Sequence, residues 1–177
     1  MTTTGLLLAA GGGRRMGRPK ALVDGWLVRS VEALAACDDV VVVLGAAADE
    51  ARALLVAHDV TVVVNPEWES GMGSSLYAGL AHVAHGEATR WLLSLVDLPD
   101  VGADVVERLL AQADEPSVLA RAVFDGRPGH PVLLGRDHWA GVLDSASGDE
   151  GARAYLAAHD VVGVECADLA TGADVDS

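Results

Sequence analysis

The stretch Leu6 to Lys20, LLLAAGGGRRMGRPK, holds the residue types that a polyphosphate requires. Ala9, Ala10, Gly11, Gly12 and Gly13 carry no large side chain, so a ligand can approach the backbone closely and its N–H groups stay accessible. Arg14, Arg15, Arg18 and Lys20 follow within seven positions. They are four of the chain's 12 basic residues, and Lys20 is its sole lysine. The net charge is -14, so this local basicity runs against the global balance. A glycine loop after a strand, followed by clustered cations, suits an anionic ligand. The spacing matches neither the dinucleotide pattern GxGxxG nor the P-loop pattern GxxxxGK[ST], and no Ser or Thr follows Lys20 to hold a metal.

Other segments carry candidate chemistry. Leu95-Val96-Asp97-Leu98-Pro99 puts a carboxylate where a buried strand emerges. Such a carboxylate needs a partner or a metal; capping of the following helix is the other role open to it, and Asp100 fits that role better. Asn65 to Ser75, NPEWESGMGSS, leads into a helix with Ser74 and Ser75 placed either to cap it or to bond a ligand. In Gly126-Arg127-Pro128-Gly129-His130-Pro131, His130 is held between a glycine and a proline. Structural and ligand-facing roles are both open to it. Gly148-Asp149-Glu150-Gly151-Ala152-Arg153 has the form of a helix start, with Asp149 as cap and Arg153 free to pair with those acids or to hold a phosphate.

Together these segments resemble the MobA-like nucleotidyltransferases, and most closely the molybdenum cofactor cytidylyltransferase group. Leu8-Ala9-Ala10-Gly11, Arg15-Met16-Gly17 and Pro19-Lys20 match LAAGxxxRMGxxK; later segments resemble the N…G(M)xxS, GxPGHPV and GDxGAR motifs in order. The resemblance implies transfer of a nucleotidyl group, CMP from CTP, onto a phosphorylated small-molecule acceptor, molybdenum cofactor, with release of pyrophosphate. It implies phosphate binding by Ala9, Ala10 and Gly11 to Gly13, charge stabilisation by Arg15 and Lys20, and Mg²⁺ held by Asp97. Asn65 and Ser75 would border the base and ribose, and Gly129, His130 and Arg153 the acceptor. A molybdoenzyme or its chaperone is the protein partner it suggests. Guanylyl transfer from GTP is the first alternative; a non-catalytic nucleotide- or cofactor-binding protein is the alternative of another class. The chain departs from the family near its end. Where relatives carry DIDTPED, with a second metal Asp, Asp168 to Asp174 reads DLATGAD, so Ala170 replaces that carboxylate.

The elements that must position these residues follow from periodicity. At 177 residues and 51% hydrophobic the chain suits one domain, residues 1–177, with a core of Ala, Val and Leu. Apolar β-rich runs at 5–9, 40–44, 60–64 and 91–96 alternate with helical patterns at 27–36, 49–58, 72–83 and 101–113. Beyond these, 117–124 and 132–134 suggest strands, 125–131 a turn-rich loop, 151–158 a helix and 161–166 a last strand. The alternation predicts a Rossmann-like, three-layer α/β/α fold with a mostly parallel sheet. Ligands bind such sheets beyond the carboxyl ends of the strands, which brings 9–13, 65–75 and 97 to one edge. The small, acidic stretch from Ala167 is expected to fray. A pI near 4.5 argues against nucleic acid and anionic membranes as partners. No signal segment or run of about 18 apolar residues is present, which makes a cytoplasmic enzyme the expectation. Cys37 and Cys166 show no metal-ligand spacing. Lys20, in a loop, is expected to matter for turnover by about 10²-fold and little for folding.

Overall fold

The structure is a computed structural model and describes residues 2–84, 86–146, 148 and 150–175. Seven strands form one sheet: β1 (Thr3–Ala9), β2 (Asp39–Leu44), β3 (Thr61–Val64), β4 (Arg90–Leu95), β5 (Leu119–Phe124), β6 (Arg127–Gly135) and β7 (Val162–Glu165). Their order is β3-β2-β1-β4-β6-β5-β7. β1 pairs in parallel with β2 and β4, β2 with β3, and β5 with β7, while β6 runs antiparallel to both its neighbours. The order reverses beside β1: the chain moves outward to β2 and β3, then returns to place β4 on the other side. The ends of β1 and β4 therefore border the crevice where α/β folds bind ligands.

Strands β1, β2 and β4 read as continuous apolar runs because both sheet faces are covered. On one face Leu7, Val42, Leu44 and Leu92 pack with α1 (Trp26–Ala33), α2 (Ala48–Leu54) and α4 (Ala103–Leu110). On the other, Leu6, Val41, Val43 and Leu93 pack with α3 (Met72–Val83), α5 (Trp139–Ser145) and α6 (Arg153–Ala157). Trp91 and Trp139 stack there with ring centroids 3.7 Å apart. The result is the three-layer sandwich the periodicity predicts.

Three local expectations are corrected. The loop expected over 125–131 is only a two-residue turn: Asp125 (φ 51°) and Gly126 (φ 75°) close a β5–β6 hairpin, and β6 starts at Arg127. An Asp-Gly pair supplies the two positive φ values that such a turn demands. Gly129 and His130 therefore lie in a strand. α5 was not expected, because WAGVLDS spans only seven residues. The tail, expected to fray, is hydrogen-bonded as far as Val175: Thr171 gives its N–H and its hydroxyl to Asp100, each at 2.6 Å, and the Val175 N–H donates to the Asp97 carbonyl at 3.0 Å. Among the described residues, no helix is long and apolar enough to cross a membrane.

Candidate active site

The loop after β1 folds back on itself. The Met16 N–H donates to the Gly13 carbonyl at 2.9 Å, and the Lys20 N–H to the Gly11 carbonyl at 3.2 Å. The reversal needs glycine at 13: its φ is 58°, and a Cβ there would stand 1.9 Å from the Arg18 carbonyl oxygen. Gly12 is fixed by packing instead, since a Cβ would lie 2.8 Å from the Trp68 ring. The turn returns Lys20 to the strand ends, where its Nζ donates to Asp97 Oδ2 at 2.5 Å. These two residues are 77 positions apart in sequence, and their side chains are only 19% and 13% exposed.

The loop after β3 forms the neighbouring wall. Asn65 is buried and fully used: its side-chain amide donates to Ser74 Oγ at 2.9 Å and Ser75 Oγ at 3.0 Å, and its Oδ1 accepts the Glu67 N–H at 2.9 Å. It thus ties the strand end to the first turn of α3 and shapes the loop. Between them a single 3₁₀ turn, Trp68–Ser70, presents Trp68 and Glu69.

A cavity of about 330 Å³ lies where these loops meet. From the first loop it is lined by Ala10, Gly11, Gly12, Arg14 and Lys20, and from the end of β4 by Leu95, Val96 and Asp97. Trp68, Glu69, Gly71, Met72 and Ser75 complete it. Ala10, Gly11, Gly12, Lys20, Ser75 and Asp97 are therefore brought together as expected. Ala9 is buried in β1, and Gly13 serves the turn behind the cavity. Arg15 is exposed, and Arg14 lines the cavity in its place. Arg14 was legible as one of the loop's cations; Trp68 and Glu69 had no signal, since the packing of Trp68 on Gly12 is set by tertiary structure.

The expected acceptor residues form a separate group. Leu93 pairs with Val132 across antiparallel strands, so His130, two residues earlier in β6, comes level with Leu95 on the same sheet edge as Asp97. Burial, then the nearby Arg121 and Arg153, push the His130 pKa from 6.5 down to about 4, which keeps the imidazole neutral. Arg121 holds the Gly129 carbonyl through Nε and Nη2, at 3.2 and 3.0 Å. Arg153 opens α6. Asp149, read as a helix cap, lies outside the described residues. The Gly73 N–H donates to the Gly148 carbonyl at 2.7 Å, which links this segment to the cavity wall.

At the tail, Asp168 is turned to Arg108 in a two-pronged contact at 2.6 and 2.9 Å, and Ala170 packs against the apolar core. Asp174 immediately precedes Val175, whose N–H bonds the Asp97 carbonyl. No group of three or more His, Cys, Asp or Glu suited to a metal occurs among the described residues. Burial pushes the half-buried Cys37 thiol up to about 12, which leaves it inert.

A mostly parallel sheet with a strand-order reversal, a glycine-and-cation loop and a carboxylate on the adjacent strand end define a nucleotide-binding α/β protein. The chain belongs to the MobA-like NTP transferase domain family, whose model matches residues 5–162. It is 38% identical to nicotine blue oxidoreductase of Paenarthrobacter nicotinovorans, over 98% of this chain and 92% of that protein. It is 35% identical to molybdenum cofactor guanylyltransferase of Rhodobacter capsulatus, over 81% of this chain and 68% of that one. The fold superimposes on the crystal structure of Rv0371c from Mycobacterium tuberculosis H37Rv with a TM-score of 0.78, at 28% identity over 100% of this chain and 93% of the other. The manganese complex of Rv0371c gives a TM-score of 0.72 at 25% identity, over 93% and 88% of the two chains.

Proposed function

We propose that this protein transfers a nucleotidyl group from an NTP to a phosphorylated small-molecule acceptor. The observation that carries the proposal is the convergence of the glycine loop, Arg14, Lys20 and Asp97 on one cavity. An oxygen of the acceptor phosphate attacks the α-phosphorus, the bond from that phosphorus to the bridging oxygen of the β-phosphate breaks, and pyrophosphate leaves with the electron pair. No protein nucleophile is needed; the protein positions the reactants and offsets charge. The open backbone at Gly11 admits the triphosphate. Arg14 and Lys20 neutralise the transferred and leaving groups. His130, neutral at working pH, and the guanidiniums of Arg121 and Arg153 receive the acceptor's anionic end. The Asp97 carboxylate is a hard oxygen ligand that fits Mg²⁺ or Mn²⁺ in company with phosphate oxygens and water, and the manganese complex of Rv0371c supports a divalent cation of this kind. When bound, the cation supplies charge neutralisation on the phosphate oxygens.

Molybdenum cofactor is the proposed acceptor. GTP is the favoured donor, in place of the CTP that the resemblance implied, because relatives from Rhodobacter capsulatus and Bacillus cytotoxicus are named molybdenum cofactor guanylyltransferases. The decisive experiment incubates the protein with each NTP, molybdenum cofactor and Mg²⁺ or Mn²⁺ and records pyrophosphate. Release with GTP above CTP is expected; release with none of the four sinks the proposal. A second reading, a redox enzyme using the same cavity, is favoured by the 38% identity to nicotine blue oxidoreductase. It predicts no pyrophosphate, and turnover only when a reductant is supplied with a dye substrate.

A further inference from the structure

The cavity contains two acids in different situations. Asp97 is taken by Lys20 at 2.5 Å. Glu69 lines the same cavity, yet among the described residues its carboxylate has no hydrogen-bond or ion-pair partner. It stands on the loop after β3, whereas the cations Arg14 and Lys20 stand on the loop after β1. A nucleoside triphosphate is polar end to end. Its phosphates carry several negative charges, and its base carries hydrogen-bond donors. The phosphates go to the cations and are repelled by Glu69, so the donor-bearing end falls to Glu69. Trp68 adds apolar aromatic surface beside it, the neighbour a base stacks on.

A carboxylate accepts hydrogen bonds with both oxygens and donates none. Among the four common bases only guanine offers two adjacent donors, N1–H and the 2-amino group, on its pairing edge. Adenine and cytosine each place a ring-nitrogen acceptor beside their amino group, and uracil flanks its one N–H with two carbonyls. Each of these sets a lone pair against one carboxylate oxygen. We propose that Glu69 selects the donor base by receiving both guanine donors, with Trp68 as its stacking partner. This rests on the nucleotidyltransferase reading and assigns its donor specificity to one residue.

The test measures binding by calorimetry with the full chain and GTP, inosine triphosphate (which lacks the 2-amino group), CTP and 2′-deoxy-GTP. For the wild type, GTP should bind tighter than inosine triphosphate and CTP by about 10-fold or more, and equally to 2′-deoxy-GTP. Glu69→Gln should weaken GTP by about 10–100-fold, the range for hydrogen bonds to a charged group, and leave CTP within about 2-fold. Glu69 is exposed, so neither this variant nor Glu69→Ala threatens folding. Full retention of the GTP preference in both variants overturns the assignment and leaves the donor reading standing. A wild type that binds GTP no better than CTP overturns the donor reading itself. A wild-type preference for GTP over 2′-deoxy-GTP that vanishes in Glu69→Gln moves the carboxylate to the ribose and overturns base selection.

Discussion

Replacing Lys20 by Met is the most discriminating single change, because it keeps the aliphatic stem and deletes only the ammonium. The 2.5 Å bond to Asp97, in a site where the two side chains are 19% and 13% exposed, gives Lys20 a role in stability that its loop position did not suggest. Surface ion pairs are worth about 0–1 kcal/mol, whereas removing one partner of a buried pair costs about 3–5 kcal/mol through the stranded charge. This pair is nearer the second case, so about 2–3 kcal/mol is expected. For a chain of this size each kcal/mol moves Tm by about 2–4 °C, giving a fall of about 4–12 °C. The stranded carboxylate is then open to a cation: Mn²⁺ should bind the free variant about 10-fold or more tighter than the wild type and recover the lost Tm by mass action. Adding Asp97→Asn removes the stranded charge, and the double variant should return to within about 1 kcal/mol of the wild type. Thermal scans with and without Mn²⁺, with calorimetric titration, read all three effects. A Lys20→Met protein as stable as the wild type, with unchanged Mn²⁺ affinity, refutes the reasoning.

Three further outcomes are expected. Gly13→Ala must place a Cβ 1.9 Å from the Arg18 carbonyl at a φ of 58°; NTP binding should fall by at least about 10-fold while the sheet survives, as read by calorimetry and circular dichroism. His130 titrates at about 4 in the folded protein against 6.5 ordinarily, so between these values only the unfolded chain takes up this proton. Stability should fall as pH drops through that window, by up to about 3 kcal/mol, and His130→Gln should flatten this part of the urea-denaturation profile; an unchanged slope refutes it. Asp168→Asn, which loses only an exposed pairing with Arg108, should keep metal binding with nucleotide present, whereas Asp174→Ala should weaken it; equal affinities would place the second acid elsewhere.

The sandwich was legible because burial on both faces makes the centres of β1, β2 and β4 apolar runs, over 6–8, 40–44 and 91–93, and that pattern survives translation into sequence. The edge that carries the candidate site was legible for the same reason: once the strands are set, Gly11, Ser75 and Asp97 must fall at their carboxyl ends. The hairpin at Asp125-Gly126 was legible in principle, for the dipeptide carries both positive φ values, but Pro128, Gly129 and Pro131 masked the strand behind it. A proline in an antiparallel strand gives up a donor, and β6 tolerates this where its register with β5 shifts.

What the sequence could not reveal is which charge meets which. Twelve cations face 26 acids, and no spacing rule pairs residues 77 apart. The fold makes that choice when it turns the first loop back at Gly13 and sets Lys20 against Asp97. The same turn places Arg14 in the cavity and Arg15 on the surface, although the two are neighbours of one type. Glu69, on the loop after β3, is the cavity acid without a counter-ion among the described residues. Site chemistry in this chain therefore depends less on which residues are present than on which have already been neutralised by the fold. Lys20 is bonded to Asp97, so the proposed phosphate role requires it to let go of that carboxylate. Glu69 needs no such release, and this difference between the two acids is what the proposed division between charge handling and base choice rests on.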